Sequence, residues 1–308
     1  MMKVTLLAGG VGGAKMAEGF DGLEGVELSV IGNIADDASF HGLWISPDID
    51  TLTYSLAGRI DRAQGWGVAD ESHRALSVLN ELGNDTWMAL GDRDFGLHIY
   101  RTNALAQGQS RSEIAAHVAR VFGVKSRILL PTDDVVQTRV RVAAGRLSFQ
   151  EYFVREQCKP EILELAYEGI EAAKPTEAAL VAIAEADLIV LAPSNPLVSI
   201  SPILGVPSLR EAMQAAKAKV VAVSPLIAGK VVKGPADRMM KALGLRADAL
   251  GVAAYYMGVV DHMVIDTLDV GLKPEIMALG QGCTVLQTLM TERADKEALA
   301  AGILREMA

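Results

Sequence analysis

Lys3-Val4-Thr5-Leu6-Leu7-Ala8-Gly9-Gly10-Val11-Gly12-Gly13-Ala14-Lys15 runs from a short apolar stretch straight into four glycines and a lysine. Residues 4–7 read as a strand covered on both faces, and the stretch after the glycines reads as a helix. Glycines at such a turn let backbone N–H groups approach a phosphate at a helix N-terminus, where the dipole also favours an anion. The loop is not a dinucleotide fingerprint, because Lys15 stands where a glycine would complete the series begun at Gly10-Val11-Gly12. Nor is it a Walker loop, since no Gly-Lys-Ser/Thr closes it. The plainer alternative is a tight strand-to-helix turn that holds no ligand.

Outward from this unit the rhythm repeats. Apolar runs rich in Val, Ile and Leu recur at 28–31, 188–191, 220–223 and 264–265. Helical patterns lie between them at 72–82, 112–122, 177–184, 208–216 and 235–243, several opened by Ser, Thr or Pro and closed by Gly. Alternating strand and helix predicts an α/β fold, a doubly wound Rossmann-like, mostly parallel sheet. The middle departs from it: 138–142, the turn Ala144-Gly145-Arg146 and 147–153 predict an antiparallel hairpin, and 161–168 a further strand. One α/β domain over 1–308 is expected, with residues 131–174 as a β-hairpin-containing insertion on its core. The tail, 291–307, reads as a structural helix with Glu292, Arg293, Lys296, Glu297 and Arg305 on a solvated face.

Half of the 308 residues are hydrophobic and 5% aromatic, the composition of a layered globular protein. A net charge of −9 without a basic run argues against a nucleic-acid polymer as partner. A small anionic substrate would need local compensation from a metal or a few Lys and Arg side chains. Cys158 and Cys283 are far apart and read as buried thiols rather than as a metal site or a disulfide. No apolar stretch reaches a membrane-spanning length, so no membrane partner and a cytoplasmic location are expected.

Paired carboxylates fall at the expected ends of elements: Asp36-Asp37 after Asn33, Asp48-Ile49-Asp50 after Ser46-Pro47, Gly91-Asp92-Arg93-Asp94, and Thr132-Asp133-Asp134. The Asp-x-Asp step is expected to place two side chains in one short loop, where hard oxygen ligands suit Mg²⁺ that also touches substrate phosphates. Each pair alone reads equally as helix capping or turn formation. Trp66, between Gly65 and Gly67, could stack on a flat ring or fill core. His41 and His98 read first as ordinary surface or core histidines. Ala192-Pro193-Ser194-Asn195-Pro196 follows the run at 188–191, where parallel-sheet folds bind ligands, and a Pro-stiffened turn is its alternative. No Gly-x-Ser-x-Gly elbow, reactive-cysteine context or His-Glu-x-x-His helix is present, which favours direct transfer without a covalent enzyme intermediate.

Taken together, the glycine loop, Ser46-Pro47-Asp48-Ile49-Asp50-Thr51, Gly65-Trp66-Gly67, Gly91-Asp92-Arg93-Asp94 with His98 and Arg101, and Ala192-Pro193-Ser194-Asn195-Pro196 with Ser199-Ile200 and Pro202-Ile203-Leu204 resemble the 2-phospho-L-lactate transferase family of coenzyme F-420 biosynthesis. The resemblance covers almost the whole chain in order. It implies Mg²⁺-dependent transfer of a phosphorylated hydroxy-acid moiety from a guanosine-diphosphate-activated donor to the ribityl hydroxyl of 7,8-didemethyl-8-hydroxy-5-deazariboflavin (Fo), releasing GMP. Phospholactate, phosphoenolpyruvate and phosphoglycerate donors all remain open.

On that resemblance Gly10, Gly12, Gly13 and Lys15 would serve the diphosphate, and Asp48 and Asp50 the Mg²⁺, with Asp50 also facing the deazaflavin side chain. Arg93 would meet the deazaflavin, Trp66 would wall its tricycle, and Ser194 with Asn195 would belong to the nucleotide pocket. Asn33 and His98 complete the expected substrate-binding set. Asp50 or Asp37 would take the proton from the attacking hydroxyl. Asp50→Asn is expected to abolish turnover and leave folding nearly intact.

Two rivals are weighed: a nucleotide-sugar-binding regulatory protein of a related fold without turnover, and an NAD(P)-dependent oxidoreductase. The carboxylate sets point away from the first. Lys15 in the sixth position, and Asn33 where an acidic ribose ligand would follow the second strand, point away from the second. Apolar helical faces in the insertion or near Tyr255-Tyr256-Met257 would suit a homodimer, and burial within one chain accounts for them equally.

Overall fold

A computed structural model describes residues 1–307. Seven strands form the main sheet: β1 (Met2–Ala8), β2 (Val26–Gly32), β3 (Arg127–Leu129), β4 (Leu188–Leu191), β5 (Lys219–Val223), β6 (His262–Asp266) and β7 (Gly282–Leu286). Their order is β7-β6-β5-β4-β1-β2-β3, and every pairing is parallel. This is the doubly wound Rossmann-like α/β arrangement. The chain leaves β1 in one direction and later returns to β1's other side with β4, so a crevice opens past their carboxyl ends.

The central strands are apolar throughout because helices cover both faces; Leu6, Leu7, Ile31, Ile189 and Leu191 are fully buried. The edge strands β3 and β7 lie outside the predicted runs. β3 buries only Ile128 fully, and β7 mixes glycine and threonine with apolar residues, so neither carries a continuous apolar signal.

Helices α1 (Gly10–Asp21), α2 (Pro47–Leu56), α3 (Arg74–Glu81), α4 (Asp92–Ala106) and α5 (Arg111–Val121) belong to the first half. At the start of α5, Ser110 and Glu113 cap each other's backbone reciprocally. The C-terminal helix Arg293–Met307 packs on α1, where a Cβ on Gly19 would lie 2.4 Å from the Lys296 carbonyl oxygen. That close crossing corrects the expected solvated face. Lys296 is buried, and its ammonium pairs with Glu18, which Arg62 also contacts at 2.8 Å. Lys296→Met is expected to cost about 3 kcal/mol, read from urea unfolding, because it leaves a desolvated carboxylate with one partner fewer.

The insertion contains a three-stranded antiparallel sheet, Gly145–Ser148 beside Gln137–Val142 beside Glu164–Glu168. The hairpin's second strand is shorter than predicted. The Glu151 carboxylate accepts from Ser148 N (2.7 Å) and Ser148 Oγ accepts from Glu151 N (3.2 Å), a reciprocal cap that turns the chain into a π-helical turn at Glu151–Arg155. Phe149 and Phe153 come to lie parallel, with ring centroids 5.6 Å apart. Cys158 and Cys283 are free and buried.

Candidate functional site

The crevice between β1 and β4 is closed by small residues on both sides. Gly9 is extended and Gly10 takes a left-handed φ of 60° at the first position of α1. A Cβ on Gly12 would stand 2.2 Å from the Pro193 carbonyl oxygen, and one on Gly13 would stand 2.9 Å from Ser194 Oγ. Gly12 and Gly13 therefore let the two loops touch. Gly13 does not reach the cavity above them, while Gly10 and Gly12 line it. Ser194 Oγ donates to Gly9 O (2.7 Å) and accepts from Gly9 N (3.2 Å), tying β4's loop to β1's. Asn195 Oδ1 accepts from Leu197 N (3.0 Å) and starts the π-helical turn Pro196–Ile200. Gly12→Ala is expected to push Pro193 aside, cost about 1–3 kcal/mol in thermal unfolding, and weaken binding of a nucleoside diphosphate in calorimetry.

The cavity, ≈ 630 Å³, is lined by two chemically distinct sets of residues. One, the phosphate end, is the glycine loop with Lys15, Lys233, Asp36 and Asp48. Lys15 Nζ donates to Met290 O (2.7 Å), and burial together with nearby Lys296 and Lys233 holds its pKa below the ordinary lysine value. Lys233, also lowered by burial, donates to Gln64 O beside Trp66. The other set is aromatic and aliphatic: Trp87, Leu90, and the parallel pair Phe149 and Phe153. Trp66 is 44% exposed on a turn set by left-handed Gly65 and Gly67, and it too faces the cavity.

The carboxylates sort differently from the sequence expectation. Asp48 and Asp50 both lie in the first turn of α2, and residues two apart on a helix diverge. Asp48 turns toward the glycine loop. Its Oδ2 accepts from Asn33 Nδ2 (2.9 Å), and Asn33 also donates to Val198 O (3.2 Å). Burial raises the Asp48 pKa, opposed by hydrogen bonds from Asn33 and the Gly10 N–H. Asp50 turns the other way, into a two-point pair with the buried Arg101 guanidinium, Nη1 at 3.1 Å from Oδ2 and Nη2 on Oδ1. Asn33 is fully buried and outside the cavity; what it contacts is Asp48.

Asp36, read from sequence only as the partner of Asp37 in a carboxylate pair, lines the cavity with Asp48, and its buried Oδ1 has no hydrogen-bond partner. Burial first, then the charges of Asp48 and Asp37, push its pKa well above the usual carboxylate range. Asp37 lies beneath the cavity floor. Its Oδ2 accepts from Ser46 Oγ (2.8 Å) with Arg111 Nη1 at 3.8 Å, and burial carries its pKa up to about 7. Arg93 is exposed, donates to Ala69 O (2.6 Å) and does not line the cavity. His98 does line it. Asp92 and Asp133 accept from the backbone N–H groups that start α3 and α5, so the capping alternative holds there.

Among the described residues no group of three or more His, Cys, Asp or Glu side chains is gathered to hold a metal ion. Asp36 and Asp48 are two hard oxygen donors, one with an unpartnered oxygen, and fit a divalent cation whose remaining ligands come from substrate phosphates. Asp50, occupied by Arg101, fits that role less well than Asp36.

Stability should vary with pH in a defined way. Asp37, raised to about 7, contributes stability that is lost as pH rises through that value. His98, lowered to about 4 by burial, contributes stability present above its unfolded pKa and lost as pH falls. The two contributions oppose each other between pH ~4 and ~6.5, and the thermal midpoint of Asp37→Asn relative to the wild-type protein is expected to rise between pH ~4 and ~7 and to level off above that, read from melts across pH.

The family model described as 2-phospho-L-lactate transferase CofD matches residues 4–278. A phosphoenolpyruvate transferase of Kitasatospora aureofaciens is 40% identical over 94% of this chain and 93% of its own length. A 2-phospho-L-lactate transferase of Methanosarcina acetivorans is 36% identical over 96% of each chain. A crystal structure from Bacillus halodurans, described as a member of the UPF0052 family, superposes with a TM-score of 0.64 over 99% of this chain and 100% of that one. At 16% identity that likeness concerns the fold alone. No helix among the described residues is long and apolar enough to cross a membrane.

Proposed function

The chain belongs to the 2-phospho-L-lactate transferase CofD family of transferases, and on that premise we propose that it joins a guanosine-diphosphate-activated, phosphorylated three-carbon hydroxy acid or its enol to the ribityl hydroxyl of Fo, releasing GMP. The observation that supports this most is the cavity's polarity. Its lining combines the start of α1, Lys15 and Lys233, which suit the donor's diphosphate, with a set of aromatic side chains that suit the flat ring of the acceptor.

In this reading the N–H groups at Gly10 to Gly12 and the two lysines bind the diphosphate. The N-terminal dipole of α1 and the lysine charges stabilise the negative charge that builds on the leaving phosphate. Ser194 and Asn195 shape the nucleotide side of the crevice and Asn33 orients Asp48. Trp66, Trp87 and the Phe149/Phe153 pair wall the tricycle, which keeps water from the transfer. Asp36 and Asp48 would hold Mg²⁺, which when bound supplies charge neutralisation at the diphosphate. Arg93, outside the cavity, has no part in this arrangement.

Fo fluorescence gives the test. Fo titrated into the protein is expected to bind, and Trp87→Ala to weaken binding about 10-fold, since stacking on one aromatic is worth ~1–3 kcal/mol. Absence of Fo binding would remove the acceptor assignment.

A further inference from the structure

Two helices meet along one wall of the cavity. From α4, Asp94, His98 and Arg101 point the same way, spaced i, i+4 and i+7. From α2, Asp50 and Tyr54 face them, also i, i+4. The contacts interlock: Arg101 holds Asp50, and Tyr54 O–H donates to Asp94 Oδ1 (2.9 Å). Asp94 and His98 both line the cavity.

Four carboxylates line this cavity, and three have other engagements: Asp36 and Asp48 face the phosphate end, and Asp50 is taken at both oxygens by Arg101. Asp94 accepts a side-chain hydrogen bond at one oxygen only, from Tyr54, and lines the cavity. His98 has a defined role beside it. Arg101 Nη1 lies 3.2 Å from His98 Nδ1, and a guanidinium can only donate, so Nδ1 accepts and the neutral ring carries its proton on Nε2. The histidine is thereby a hydrogen-bond donor one turn from a carboxylate acceptor.

Resting on the transferase reading above, we propose that Asp94 is the catalytic residue that accepts the proton of the attacking acceptor hydroxyl, with Tyr54 orienting it and His98 donating from Nε2 to the same substrate side chain. As the hydroxyl proton passes to Asp94 Oδ2, the hydroxyl oxygen forms a bond to the phosphorus of the transferred group. The bond from that phosphorus to the bridging oxygen breaks, and GMP leaves with the electron pair. Asp94 then returns its proton to solvent.

The electrostatics agree with the geometry. Burial first, with the charges of Asp50 and Glu71 adding to it, raises the Asp94 pKa to about 6, against hydrogen bonds from Tyr54 and the Gly91 N–H. On its own helix His98 lines the cavity with it, and Arg101 contacts both His98 and Asp50. The carboxylate is ionised at neutral pH and basic enough to take a proton in the transition state.

The experiment compares steady-state transfer to Fo by the wild-type protein, Asp94→Asn and Tyr54→Phe across pH. Wild-type kcat/KM should fall as pH drops through ~6, and Asp94→Asn should lose about 10²–10⁴-fold in kcat with KM for Fo within about 2-fold. Tyr54→Phe removes a bond that holds the Asp94 pKa down, so its acid limb should move to higher pH, a shift that a merely structural tyrosine would not cause. Wild-type-like kcat in Asp94→Asn, or an unmoved limb in Tyr54→Phe, would overturn the assignment. No product from the wild-type protein with any donor would overturn the transferase reading itself and the assignment with it.

Discussion

Asp48→Asn is expected to lower the transfer rate at least about 10³-fold and to leave the protein as stable as the parent or more stable. The two effects have one cause. Asp48 is buried beside Asp36, burial raises its pKa, and its ionised form at neutral pH therefore costs folding free energy. An amide of the same shape keeps an oxygen for Asn33 Nδ2, now at 2.9 Å, and removes the repulsion with Asp36. What it loses, on the proposed function, is the anionic oxygen that would hold a cation against the diphosphate. Thermal melts and transfer assays on the same preparation separate the two. A large fall in the melting temperature together with lost activity would mean that Asp48 is a structural residue.

Asp50→Asn should behave in the opposite way for stability. Arg101 is buried and binds Asp50 at two points, so neutralising the carboxylate strands a desolvated guanidinium. Breaking such a pair from one side costs about 3–5 kcal/mol, which lowers the thermal midpoint by roughly 5–8 °C in a chain of this size. The double variant Asp50→Asn/Arg101→Met should recover much of that loss, because the cost lies in the unpaired charge rather than in the missing bond. The expectation from sequence, that Asp50→Asn leaves folding nearly intact, does not survive this geometry.

The contrast between Asp48 and Asp50 shows where sequence reading reached its limit. Spacing alone says that two carboxylates are near in the chain. Whether they converge depends on the backbone, and in the first turn of α2 they separate onto the glycine loop and onto Arg101. The glycine loop, Ser194 and Asn195 were legible because parallel strands project their following loops into one crevice. Five central strands were legible from uninterrupted apolar runs, and edge strands β3 and β7 were not, since one exposed side breaks such a run.

Lys233 and Trp87 escaped for a different reason: each enters the cavity from a loop whose local sequence has no periodic or motif signal, whereas Asp36 was visible in the Asp36-Asp37 pair but was not told apart from its neighbour. Phe149 and Phe153 were read as strand residues, and the Ser148/Glu151 cap that redirects them was present but not used. Arg93 shows the reverse error. It shares a motif with Asp94, yet adjacent residues on a helix point about 100° apart, and the cavity wall receives Asp94.

On the proposed function, one cavity joins an activated phosphate to a deazaflavin alcohol. The direct measurement is mass spectrometry of the protein incubated with Fo, Mg²⁺ and, separately, guanylylated phospholactate, phosphoenolpyruvate and phosphoglycerate. GMP and a phosphodiester of Fo are expected in equal amounts from at least one donor. No product from any donor, or a tight nucleotide-sugar complex without turnover, would contradict it.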